Sequence, residues 1–288
     1  MPSLKDIRKR IGSVKNTQQI TKAMKMVAAV KLRKAQESIE AKRPYAYRLR
    51  DIIGELAARA DFSEHPLLAQ RDPKKVALLV LTSDRGLCGG FNTSVCRTAE
   101  RYIKANELGH EAMEVDVVGR KGLEYLKRRP VTMGPYFKDV LSDLSVEKAG
   151  EIAEHCQQRF LESDLDAVYV VYNEFKSAIA QEVVVEQLLP VVPAASSDEH
   201  DLVEFLYEPT KEELMDAVLP RHLTIQIWRM MLESVASEMG ARMTAMDAAT
   251  KNAGELIDAL TLQYNRARQS MITTELMEII GGAEALKG

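Results

Sequence analysis

Cysteine is scarce: Cys88, Cys96 and Cys156 are the only three in 288 residues. An odd number with no CxxC spacing excludes a disulfide framework and a zinc or redox motif of the usual kind, and fits a reducing compartment. No run of about 18 apolar residues occurs, so no membrane-spanning helix is expected. The opening "MPSLKDIRKRIGSVK" places charges where a signal peptide needs an apolar core. The five histidines form no HExxH pair, and GxSxG, GxGxxG and GxxxxGK[ST] are all missing. These absences remove the local signatures of metal, triad and nucleotide chemistry; no cofactor, metal or catalytic residue is expected. Proline is missing from Leu4 to Arg43 and again after Pro220, and no aromatic residue lies between Met1 and Pro44.

What remains is a chain that can fold. With 46% hydrophobic residues and a formal charge of -3, it can bury a sizeable core. The small net charge hides an asymmetry, because the first 50 residues hold 14 lysines and arginines against three acids. The basic character is local.

The two proline-free ends read as long helices. Leu4, Ile7, Ile11 and Val14 follow the three-four spacing of one helical stripe. The stripe continues less regularly through Ile20, Met24, Val27, Ala28, Leu32 and Ala35, with Lys25 at an apolar position and a register shift near Thr21. At the other end a cleaner walk runs through Leu232, Ala236, Met239, Met243, Met246, Thr250, Ala253, Ile257, Leu260, Tyr264, Ala267 and Met271. A helix of some 60 residues would be on the order of 90 Å long, more than a compact domain can contain. Two single-striped helices at opposite ends can cover each other as an antiparallel coiled coil.

The middle has another pattern. "KKVALLVLTSD", a helical stretch around "SVCRTAERYIKANEL", and "EVDVVG" form a βαβ unit. Helices at "KGLEYLKRR" and "SVEKAGEIAEHCQQRFL", and strands in "DAVYVVYNEF" and "IAQEVVVEQLLPV", complete a covered mixed or parallel sheet. The fold expected is α/β: a Rossmann-like domain inserted between the arms of a long coiled coil. Its parts are residues 1–60, 74–192 and 210–288, with connectors around 61–73 and 190–212.

Two features bear on function. "SDRGLCGGFN" at 83–92 could aim backbone N–H groups at a phosphate, but its spacing fits a tight strand-to-helix turn better. The basic helix, with Lys22, Lys25, Lys31, Arg33 and Lys34, suits phosphates, anionic lipid, an acidic protein or plain solvent. Without aromatics it lacks base-stacking and interfacial anchors. An acidic protein partner needs neither. A nucleic-acid-binding coiled coil is the alternative reading.

Three blocks, "IRKRIGSVKNTQQITKAMKMVAAVKLRKAQ", "TSDRGLCGGFN" and "ARMTAMDAATKNAGELIDALTLQYNRARQSMITTELMEIIGGAEAL", closely resemble the γ subunits of F-type ATP synthases. Ile272, Thr273, Glu275, Glu278, Gly282, Ala283 and Ala285 stand at the family's spacings. Nothing resembles the regulatory cysteine segment of chloroplast versions. The resemblance implies a non-catalytic rotor shaft inside three α and three β subunits, seated beside ε on the membrane rotor ring (the c-ring). It implies peripheral attachment through partners at the cytoplasmic face of a bacterial membrane, and no nucleic acid. By the same resemblance Met24, Lys31, Arg33 and Lys34 face the acidic levers of β. Arg268 and Gln269, with Thr273 and Glu275 close by, contact β near the top of the shaft.

Overall fold

The computed structural model describes residues 3–58, 65–106, 109–142, 144–192 and 210–285. Two long helices bracket the chain, α1 (Leu4–Ala58) and α5 (Lys211–Ala285). Each starts on a side-chain cap. Ser3 Oγ accepts from the Asp6 N–H at 3.2 Å while the Asp6 carboxylate accepts from the Ser3 N–H at 3.3 Å, and Thr210 Oγ1 accepts from the Glu213 N–H at 3.2 Å. Such caps satisfy N–H groups that the first turn leaves without partners. Both helices run through a proline, Pro44 and Pro220, rather than stopping short of it. An interior proline costs a helix about 3 kcal/mol. At Pro220 core burial offsets that cost, for the adjacent Leu219 and nearby Leu223 are buried.

The chain forms two compact units, one from residues up to Ala28 with those from Met243 onward, the other from Ala29 to Arg242. In the first, α1 and α5 are antiparallel. Gln18 and Thr21 meet Thr250, and Lys25 Nζ lies 2.6 Å from Asp247 Oδ1. Met246, Ala253 and Leu260 are buried, as the C-terminal stripe predicts. On α1 the prediction fails at two positions: Ile20 and Val27 are 60% and 57% exposed. The buried line instead passes through Ile7, Thr21 and Ala28, with Ile11, Val14 and Gln18 half-buried. Thr21 hides its hydroxyl against Thr250, the single non-apolar member of the opposite stripe, at 2.8 Å. The two threonines pair across the seam, and that turns Ile20 outward.

The second unit holds a five-stranded sheet of order β3-β2-β1-β4-β5. Its strands are β1 (Lys75–Leu81), β2 (Ala112–Val118), β3 (Thr132–Phe137), β4 (Ala167–Phe175) and β5 (Gln181–Leu189). All pairings are parallel except β4 with β5. α2 (Phe91–Asn106) and α3 (Arg120–Leu126) cover one face over Leu78, Val80, Val115 and Val117. α4 (Val146–Leu161) and the first half of α5 cover the other over Ala77, Leu79, Val168 and Val170. With both faces covered, β1 reads as an unbroken apolar run rather than an alternating one.

Of the expected connectors, residues 61–64 and 193–209 lie outside the described residues. The adjoining stretch is more than a linker: Leu67 and Leu68 are buried, and Arg71 donates to the Phe160 carbonyl at 3.0 Å.

Candidate partner-binding surface

The turn at 83–92 sits where an open α/β sheet usually takes its ligand. The chain leaves β1 for β2 on one side and returns to β4 on the other, so the crevice lies past the ends of β1 and β4. Here α5 lies over it. Ser237 Oγ donates to the Asn173 carbonyl at 3.2 Å, and Arg242 donates to the carbonyl of Gly86 at 3.0 Å. Gly240 lets the helix approach closely, since a Cβ there would stand 2.9 Å from the Ala178 carbonyl oxygen. The turn's polar groups point inward: Asn92 Oδ1 accepts from the Ser83 N–H at 2.9 Å, and Asn92 Nδ2 donates to Ser83 Oγ at 2.8 Å. Leu87 has a φ of 64° and Gly89 one of 56°, the left-handed bends that close so short a turn. Cys88 is buried within it, and burial pushes its thiol pKa up, away from the reactive thiolate. This is a tight turn braced by α5, its Ser83 and Asn92 bonded to each other.

The positions singled out in the sequence fall into separate places. On α1, Lys31, Arg33 and Lys34 are exposed and Met24 is half-buried. Arg33 pairs with Glu37 at 2.8 Å, both well exposed, so that contact contributes little. Lys31 has an internal role that its sequence pattern does not reveal. The Glu238 carboxyl is raised on balance by burial; Arg242, 2.6 Å away, opposes the rise, Asp84 adds to it, and Lys31 opposes it least. Lys31 therefore stands within electrostatic reach of its own chain's buried acid. No ion pair forms at Lys22 or Lys34 among the described residues.

Arg268, Gln269, Thr273 and Glu275 are all exposed on the last part of α5. The Thr273 hydroxyl is bonded back to the Gln269 carbonyl at 2.9 Å. Met24 stands at the level of Asp247 to Thr250, so these residues are about 30 Å from it along the coil, at 1.5 Å per residue. The two groups of residues are therefore separate on the chain. In this antiparallel register α1 is exhausted near Arg268, and beyond it α5 has no opposite helix among the described residues. Met271, Ile272, Leu276, Met277, Ile279 and Ile280 are each at least half exposed there. Isolated exposed leucines are ordinary, but six exposed apolar residues on one helix end are not.

The chain thus pairs its two terminal helices and, between them in sequence, folds a five-stranded sheet covered on both faces. The ATP synthase family model matches residues 3–286. The chain is 52% identical to the ATP synthase gamma chain of Geobacter metallireducens over 288 residues, all of both chains. The central stalk/c-ring structure of Tetrahymena thermophila mitochondrial ATP synthase is 26% identical, with a TM-score of 0.62 over 80% of this chain and 99% of that one. The fold also matches a chain of the Euglena gracilis mitochondrial enzyme with a TM-score of 0.70, at 23% identity, over 98% of this chain and 94% of that one. The chain belongs to the ATP synthase γ-chain family. Its role is that of the rotor shaft in that membrane-associated complex. Nothing in these likenesses supports the nucleic-acid reading. No described helix is long and apolar enough to cross a membrane.

Proposed function

We propose that this chain is the non-catalytic central shaft of a bacterial enzyme, standing inside three α and three β subunits and resting with ε on the c-ring. Proton-driven turning of the ring carries the shaft past each β in succession. Asymmetric contacts then favour a different conformation of each site, a shift of populations by differential binding. The functional parts are the arms, residues 1–60 and 210–288, and the inserted domain, residues 74–192. The chain is peripheral, held at the cytoplasmic face by its partners.

The observation that supports this most is the bare end of α5. Its apolar residues from Met271 to Ile280 suit an apolar sleeve, which holds a turning part without strong directional bonds. At the root of that end, Arg268 and Gln269 offer donors to β, with Thr273 and Glu275 one turn further. Met24 offers an apolar contact, and Arg33 and Lys34 basic ones, to the acidic levers of β. Purification of the tagged chain from its native membrane is expected to bring α, β and ε in a three, three, one ratio. Recovery without α and β would overturn the assignment.

A further inference from the structure

Asp116 lies in the middle of β2 on the face covered by α4, 1% exposed, and neither of its carboxylate oxygens has a hydrogen-bond partner among the described residues. Its neighbours make this stranger. A Cβ at Gly134 on β3 would fall 2.1 Å from Asp116 Oδ1 and 2.3 Å from Glu114 Oε1, so both carboxylates crowd the same point and only glycine leaves them room. The strand pairing is broken there too. Val115 pairs with Met133 and Val117 with Tyr136, so Gly134 and Pro135 together oppose Asp116 in a bulge at the sheet edge. Proline has no N–H to contribute.

The charges around the pair do not balance. From β2 comes Glu114; from α4 come Arg159, His155 and the buried thiol of Cys156. Arg159 is the cation that reaches them, 2.8 Å from Glu114 Oε2, and it also holds Asp164 at 2.8 Å. Burial lowers the basicity of His155, which keeps it neutral. The register partner on β1 is Leu79, and no charged side chain of β3 enters the cluster.

We propose that Asp116 and Glu114 share one proton, which latches the edge strand β3 onto β2, and that loss of this proton loosens the bulge. With the proton present, Asp116 is neutral and can donate to Glu114, whose charge Arg159 neutralises. Without it, two carboxylates face one already divided cation, with Asp116 shut off from water and Glu114 only partly exposed to it. The strain is relieved by admitting water at the bulge, where pairing is weakest. Burial first, then Glu114, push the Asp116 carboxyl up to about 7, with Arg159 opposing. The folded state therefore holds a proton that the unfolded chain releases near the ordinary aspartate value of about 4. The cost is absent below that value, grows as pH rises and is complete above about 7.

The test is amide hydrogen exchange of the full chain at pH 6.0 and 8.5, corrected for intrinsic rates, comparing residues 132–137 with β4. Protection of β3 is expected to fall about tenfold relative to β4 in the natural chain, and to hold steady in Asp116→Asn, whose amide is a permanent donor. Equal losses in both, or no loss in either, would overturn the latch. Carboxyl carbon NMR of aspartate-labelled natural chain tests the same point without a variant: one aspartate must titrate near 7, and ordinary titration of every aspartate refutes the shared proton.

Discussion

His222 shows how a residue can mislead when read alone. Five histidines without metal spacing suggest surface or locally bonded side chains, yet His222 is buried, with Nδ1 lacking a partner among the described residues. Its place was legible in its neighbours, because Leu219, Leu223 and Ile227 put core residues around it on α5. Burial, and then the nearby Arg229, push its pKa down to about 4. It is a base that folding keeps neutral, so its contribution to stability is intact above about 6.5 and is lost as pH falls toward 4, where the unfolded chain takes a proton that the folded chain refuses. A gap of that size corresponds to roughly 3 kcal/mol. Urea denaturation at pH 7.0, 5.5 and 4.0 should show the natural chain losing about that much more stability than His222→Leu. Parallel losses would mean the imidazole reaches solvent.

At the scale of elements, what the sequence reveals depends on how uniform each surrounding is. The C-terminal stripe was readable because nearly every member is apolar and all but Met271 are at least half-buried, whereas the α1 stripe, although right at Ala28, Leu32 and Ala35, slipped between Val14 and Ala28. There Ile20 and Val27 look like core residues, but the polar pairing of Thr21 with Thr250 sets the facing. Strand β3 escaped notice for a similar reason. "TMGPYF" contains a glycine that clears space for two carboxylates and a proline tolerated only at an edge or bulge, and neither is a strand signal. The corrected seam is testable. The hydroxyls of Thr21 and Thr250 stand 2.8 Å apart, so cysteines there should close a disulfide under mild oxidation, given its need for near-touching side chains. The three natural cysteines are buried and should not compete. Cysteines at Val27 and Thr250 should stay reduced, since Val27 faces outward. Bridging by the second pair and not the first would put Val27 rather than Thr21 on the seam.

For the whole molecule, the family and fold were legible because three separated blocks and two end stripes agree. The proposed partner sites rest on resemblance alone, since exposed Arg268 and Gln269 make no side-chain contact among the described residues that explains them. That very lack supports a clean test. Both project from the coil beside Ala267, where α1 comes to an end, and replacing an exposed helical residue with alanine, a strong helix former, shifts stability by no more than about 0.5 kcal/mol. In the assembled complex the same side chains would be partly covered by β, where each hydrogen bond is worth about 1 to 3 kcal/mol. The double change Arg268→Ala and Gln269→Ala should therefore leave the circular dichroism and melting of the purified chain unchanged, and leave subunit content of membranes normal. ATP hydrolysis and proton-driven synthesis should both slow at least tenfold, because contacts that form and release once per turn act in both directions. Natural rates in both directions would remove these two residues from the β interface while leaving the shaft role standing. Loss of α and β from the membranes would instead make them assembly contacts.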